Sequence, residues 1–171
     1  MNAPLANIFD SSVLSAFCVV GRLDLLAARF VGRAHWTIEV YNEIDRGVAD
    51  SPRLGDLLIA PWLSEPIRSL SVVEIERVRL ALGGRPRNRR HLGEAATIVV
   101  AEANGYIMAV DDYDATLFAR SVGLGTTTTI AILRDCVRNG LLTADEAAML
   151  VDDMIDDHGR RLPRVGAGEL Q

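Results

Sequence analysis

Short apolar strands alternating with helices predict a three-layer α/β domain built on a mostly parallel sheet. Two observations carry this expectation. The apolar runs Asn7-Ile8-Phe9, Ala34-His35-Trp36-Thr37-Ile38 and Tyr106-Ile107-Met108-Ala109-Val110 each lead into a stretch of helical periodicity. The chain is also 171 residues long, with no internal repeat and no linker long enough to divide it. That length suits one domain with its own core. The expected limits are a single domain over residues 1–158 and a loose, Gly- and Arg-containing tail over 159–171.

The first strand ends at Asp10, and Asp10-Ser11-Ser12 offers a carboxylate and two hydroxyls to cap the helix that follows. Gly21 breaks that helix, and Arg22 to Phe30 forms a second one with Leu23, Leu26 and Ala27 on one face. After the second strand, Val40, Glu43 and Ile44 share a helical face, so a carboxylate sits among core positions. Residues 52–58 suit a short helix, while 59–66, interrupted by Pro61 and Pro66, make at best an edge strand. Ser71 is placed to cap a helix to Leu82 with Val72, Ile75, Val78 and Leu82 inward. An arginine-rich loop over 83–90 leads into a helix in which Glu94, Ile98 and Ala101 share the apolar stripe with Ala95 and Val99. Glu94 therefore points to the core side. The third strand discharges Asp111-Asp112-Tyr113-Asp114, and a helix runs from Asp112 to Val122. Thr126 to Thr128 is β-branched and reads as a last strand. Two helices follow, Thr129 to Asn139 and, capped by Thr143 with Asp145 and Glu146 in its first turn, Thr143 to about Asp156.

Composition removes several classes of function. All 18 basic residues are arginine, so a P-loop lysine and a Schiff-base amine are both missing. His35, His91 and His158 are far apart, which argues against histidine zinc sites and histidine-dependent triads. Cys18 and Cys136 are isolated, as expected for a reducing cytoplasm and not for a disulfide or zinc framework. No apolar run approaches the ~20 residues of a membrane span, and the first residues lack the basic and apolar regions of a signal peptide. A cytoplasmic protein without membrane attachment is expected. The net charge of −5 does not advertise nucleic-acid binding, although segregated charges can override a net value.

In parallel sheets, sites gather beyond the carboxyl ends of the strands. Asp10 and the Asp111–Asp114 cluster both follow strands, and Glu43 and Glu94 ride on helices that can reach the same edge. Oxygen ligands without His or Cys suit Mg²⁺ or Mn²⁺. Crowded carboxylates repel, and a divalent ion relieves the repulsion. Such ions activate water and neutralise a phosphodiester during in-line displacement. Taken singly, Asp10 and Asp111-Asp112 are helix caps, and Glu43 and Glu94 are partly exposed acids. Together and in this order they point to metal-dependent phosphodiester hydrolysis.

The ordered series Phe9-Asp10-Ser11-Ser12-Val13-Leu14, Glu43, Gly93-Glu94-Ala95-Ala96 and Val110-Asp111-Asp112 resembles a PIN (PilT N-terminus) domain over roughly residues 7–156. The likeness is greatest to VapC-like toxins and their relatives. Gly21-Arg22-Leu23-Asp24-Leu25-Leu26 and Arg138-Asn139-Gly140-Leu141-Leu142 are similar to one PIN subgroup. The resemblance implies a PIN-like α/β/α sandwich and an Mg²⁺- or Mn²⁺-dependent endoribonuclease leaving 5′-phosphate and 3′-hydroxyl ends. It also implies a homodimer and a protein antitoxin as partner. By position it makes Asp10, Glu43, Glu94 and Asp112 the catalytic acids. Asp10, Glu94 and Asp112 become metal ligands, with Asp111 and Asp114 as alternates and Glu43 acting through water. Ser12 matches the residue that steadies the first aspartate, and Thr129, then Thr128, the polar residue near the last strand. Asp111, Asp112 and Asp114 compete for one or two family positions, and Asp111 is open to a role as helix cap.

Two other readings stand beside this one. A PIN-fold module that binds RNA or protein without cutting it would keep the fold and lose the metal. A phosphoaspartate receiver is disfavoured, because its acidic pair follows the first strand and it carries a lysine near the last. Trp36 and Trp62 are expected in the core or at a subunit interface. Arg85, Arg87, Arg89 and Arg90 precede the Glu94 helix and are expected to grip RNA phosphates at the rim of the acidic pocket. A solvated loop or an antitoxin contact are the alternatives for this run. Replacing the four arginines with glutamine is expected to weaken RNA binding and to flatten its dependence on salt, read from affinities over a salt series. Unchanged affinity and slope would assign the run to something else.

Overall fold

Residues 7–9 are buried on both faces and must find hydrogen-bond partners along both edges, which places them in the middle of a sheet. The structure, a computed structural model, describes residues 5–85 and 90–171. In it Asn7–Phe9 (β1) lies between Ala34–His35 (β2) and Ile107–Ala109 (β3), and Thr126–Thr127 (β4) adds to the far side of β3. Every pairing in this β2-β1-β3-β4 sheet is parallel. Ile8 stands opposite His35 and Met108, and Ala109 stands opposite Phe9 and Thr127. The edge strand expected over 59–66 does not form. Ala34 and Thr37 make single parallel bridges to Leu63 and Ile67, with Pro66 between those two partners unable to donate.

Side-chain alternation along β1 and β3 decides which helices cover which face. Phe9 and Ala109 point into one core with residues of Ser11–Val19 (α1), Leu23–Phe30 (α2), Ile38–Gly47 (α3) and Gly55–Leu58 (α4). Residues of two later helices, Thr129–Arg138 (α8) and Ala144–Asp156 (α9), complete that core. Met108 points the other way, into a core with Val72–Ala81 (α5), Leu92–Asn104 (α6) and Tyr113–Ser121 (α7). The result is the expected three-layer α/β/α arrangement, with a sheet that is parallel throughout among the described residues. Trp36 and Trp62 belong to the first core.

The two helices that frame the site are apolar nearly all round, because each is packed on several sides. In α1 every residue from Val13 to Val19 is buried, and in α6 so is every residue from Ala95 to Ala101. Helix α5 differs. It leans chiefly on α6, which covers Ile75, Val78 and Leu82, but Val72 is 69% exposed, correcting the inward position expected for it. Ser71 precedes α5 without donating or accepting a side-chain capping bond. Thr143 and Glu146 do form the reciprocal capping box that starts α9.

The stretch after α9, expected to be loose, is tied down at several points. Leu170 is fully buried. Arg134 Nε donates to the Glu169 carbonyl at 2.7 Å, and Arg164 pairs with Asp152 and Asp156 on α9. A buried side chain beyond the last long helix fixes the path of the chain in a way that polar composition conceals. Among the described residues, no helix is long and apolar enough to cross a membrane.

Ile98 is fully buried in the second core, one turn from Glu94. Ile98→Ala is expected to cost about 2–5 kcal/mol of stability, read as a lower urea midpoint at unchanged slope.

Candidate active site

Asp10 and Asp111 leave the sheet side by side, because the Asp10 N–H donates to the Ala109 carbonyl at 2.9 Å across the carboxyl ends of β1 and β3. Asp10, Glu43, Glu94, Asp111 and Asp112 line one cleft of about 490 Å³ at that edge. Five carboxylates from both sides of the sheet thus meet where parallel topology places sites.

Asp10 is the most enclosed of them, 2% exposed. It is the cap of α1, and its Oδ2 accepts from the Ser12 N–H at 3.0 Å. Its Oδ1 is buried without a hydrogen-bond partner among the described residues. Burial pushes the Asp10 carboxyl up to about 7, Glu94 and Glu43 push the same way, and the bonds from Ser12 oppose them.

Gly93, at the start of α6, determines how closely these acids approach. A Cβ on it would lie 2.7 Å from Glu43 Oε2 and 3.7 Å from Asp10 Oδ1. The missing side chain lets α3 bring the Glu43 carboxylate in beside Asp10. Glu43 has an outer flank open to water, yet its carboxyl is held above the usual range, first by shielding from water and then by Glu94; a hydrogen bond from Ser11 opposes the rise. Glu94 stands in the first turn of α6, with His91 Nδ1 at 3.5 Å from its Oε1. His91 precedes that helix in the left-handed region, at φ 62°.

Asp111 is gripped by the start of α8. Thr129 Oγ1 donates to Oδ2 at 2.6 Å and the Thr129 N–H donates to Oδ1 at 2.8 Å. The Asp111 N–H in turn donates to Ser12 Oγ at 3.2 Å, so one serine links both strand-end aspartates. Burial raises the Asp111 carboxyl, offset by the Thr129 bonds and by Arg160.

The structure reassigns two of the expected roles. Asp112, and not Asp111, caps α7: its Oδ1 accepts from the Ala115 N–H at 2.8 Å. It is the residue immediately before the helix, with extended backbone, and only a side chain there reaches the N–H of the third helical residue. Asp112 keeps a place in the cleft wall, but Asp111 sits in the stronger hydrogen-bonding cradle. Asp114 is exposed on the first turn of α7 and lies outside the cleft. Thr128 caps α8 through the Ala131 N–H at 3.2 Å and likewise lies outside it. Arg85 and Arg90 are exposed and away from the cleft lining, and Arg87 and Arg89 lie outside the described residues. Arg160 and Arg161 do line the cleft, and nothing in the sequence beyond two arginines after Gly159 marks them.

The donor set suits a hard divalent cation. Asp10 Oδ1 lacks a partner among the described residues, the cleft floor at Gly93 is bare, and the Asp10 and Glu43 carboxyls are both driven up, first by burial and then by Glu94. Among the described residues no three acidic, histidine or cysteine side chains close into one tight coordination group.

The family model DUF3368, described as a PIN domain, matches residues 6–167. The crystal structure of PAE2754 from Pyrobaculum aerophilum superposes with a TM-score of 0.52 at 17% sequence identity. That match covers 81% of this chain and 98% of that one, and at such identity it speaks for the fold. No curated protein matches the sequence.

The raised Asp10 carboxyl carries a sign that can be checked. A group whose folded value lies near 7, above its ordinary 3.8, stabilises the fold least once ionised. In metal-free protein, Asp10→Asn is expected to raise the melting temperature at about pH 8. The gain should shrink as pH falls through about 7 and vanish near the ordinary carboxylate range. Melting curves that differ by the same amount at every pH would contradict a raised Asp10.

Proposed function

The chain belongs to the PIN-domain family, and on that premise we propose that it is a divalent-metal-dependent endoribonuclease. The observation that carries the proposal is the convergence of Asp10, Glu43, Glu94, Asp111 and Asp112 on one cleft, with Asp10 Oδ1 buried and unpartnered. Gathering this much like charge around a buried carboxylate is costly unless a cation accompanies it.

Asp10, Glu94 and Asp111 are the residues proposed to hold Mg²⁺ or Mn²⁺, with Asp112 beside them. When bound, such an ion neutralises phosphate charge and lowers the pKa of water. The protein groups have separate tasks. Ser12 fixes Asp10 through its N–H and, through its hydroxyl, the backbone of Asp111. Thr129 holds both oxygens of Asp111 and so prevents the carboxylate from rotating. Glu43, whose carboxyl is raised, is suited to hold or accept a proton at Oε2 on the cleft wall.

RNA as the substrate, the 5′-phosphate and 3′-hydroxyl products, a homodimer, and a toxin role under an antitoxin are finer proposals. They are supported by the resemblance of the ordered acidic series to VapC-like toxins. The reading of a binding module that does not cut is favoured by one feature: Asp112 already uses Oδ1 to cap α7.

The deciding experiment is cleavage of a panel of single-stranded and structured RNAs by wild type and Asp10→Asn, in EDTA, Mg²⁺ and Mn²⁺. Metal-dependent cutting that falls by about 100-fold or more in the variant is expected. No cutting, together with no carboxylate-dependent Mn²⁺ binding by calorimetry, would leave the binding module.

A further inference from the structure

The acidic cleft has a basic wall that the family series does not contain. Helix α9 ends near Asp156, and Gly159 turns the chain with φ +63°. Its N–H donates to the Ile155 carbonyl at 3.0 Å, and the Arg160 N–H donates to the Met154 carbonyl at 2.9 Å. These two bonds fix the backbone of Arg160 against the end of α9. Further along, Arg164 and Leu170 hold the segment down. Arg160 is thus placed by structure and not by chance.

Its side chain is half-buried and lines the cleft beside Asp111, whose carboxylate it steadies electrostatically. Among the described residues it closes no ion pair within contact distance, and its Nε is buried with no hydrogen-bond partner. A buried donor left unmade is unfavourable, and such groups call for a partner that the folded chain itself does not supply. The planar guanidinium presents Nε and a terminal nitrogen as a fork that matches two oxygens of a phosphate. Positive charge placed where an attacked phosphodiester gathers negative charge favours the transition state.

We propose that Arg160 is a substrate-contacting residue of this cleft, donating from Nε and a terminal nitrogen to the non-bridging oxygens of the RNA phosphate that is cut. The proposal rests on the nuclease reading and adds to it a residue from the C-terminal segment. It also eases an electrostatic difficulty, since among the described residues Arg160 and the more exposed Arg161 are the arginines that line a cleft holding five carboxylates.

The test uses the full chain as wild type, Arg160→Gln and Arg160→Lys. Binding of a short fluorescein-labelled single-stranded RNA is measured by anisotropy in EDTA over a salt series, and cleavage of the same RNA is measured with Mn²⁺. Arg160→Gln is expected to weaken binding about tenfold and to lower the salt slope by about 0.7, one phosphate contact on a single strand. Its kcat should fall as well. Arg160→Lys should keep the salt slope but not the rate, because the charge survives and the fork does not. If Arg160→Gln proves unstable by its melting curve, the lysine variant decides through this split. Binding and cutting equal to wild type in both variants overturn the role of Arg160 and leave the nuclease reading standing. Faster cutting by Arg160→Gln also overturns it, showing that the arginine obstructs the cleft. A wild type that neither binds nor cuts RNA removes the nuclease reading and this proposal together.

Discussion

One oxygen of Asp10 receives the Ser12 N–H, while the other is buried with no hydrogen-bond partner among the described residues and with Glu94 and Glu43 close by. That unrelieved carboxylate constrains everything around it. It cannot be moved outward, because it caps α1 and follows directly on the central strand. It cannot be paired with a lysine, because the chain has none. The neighbouring elements therefore supply either a close approach, as Gly93 does, or restraint, as Ser12 and Thr129 do. The energetic strain of like charges is held in place by two well-packed cores on either side of the sheet.

The fold makes this concentration of charge possible with very short strands. Two or three residues per strand suffice because helices cover both faces and all the pairing is parallel, so every carboxyl end opens on the same side. Helices α3 and α6 then bring Glu43 and Glu94 to that side, and their contact depends on the absence of a Cβ at Gly93. Asp111 is positioned by a different device, the N-terminus of α8, whose first N–H and hydroxyl both reach it. A site made this way separates the task of holding each acid from the task of bringing the acids together.

Much of this was legible in the sequence because it is local. A strand that ends in an aspartate followed by serines announces both the edge of the sheet and a helix cap, and the apolar stripe around Glu94 shows that its carboxylate faces inward. The errors fall where the answer depends on distant contacts. Asp111 and Asp112 are adjacent acids, and only the partner on α8 decides which is cradled and which caps α7. Val72 fits an apolar helical face, but the face ends where α6 ceases to cover it. Arg160 was invisible for the same reason: a polar tail reads as loose until Leu170 is found buried and the chain between them is constrained.

The charge of the cleft also separates the two arginine groups in a physical way. Arg85 and Arg90 stand exposed, away from the cleft lining, where salt screens their charge. Arg160 lines the cleft beside Asp111, half-buried, where lower effective permittivity strengthens each interaction. A cation held by the carboxylates and the arginine beside them would divide the work of neutralising a phosphate between them. The end of α9 is then a wall of the site, and the stability of the C-terminal segment becomes part of how the cleft recognises its substrate.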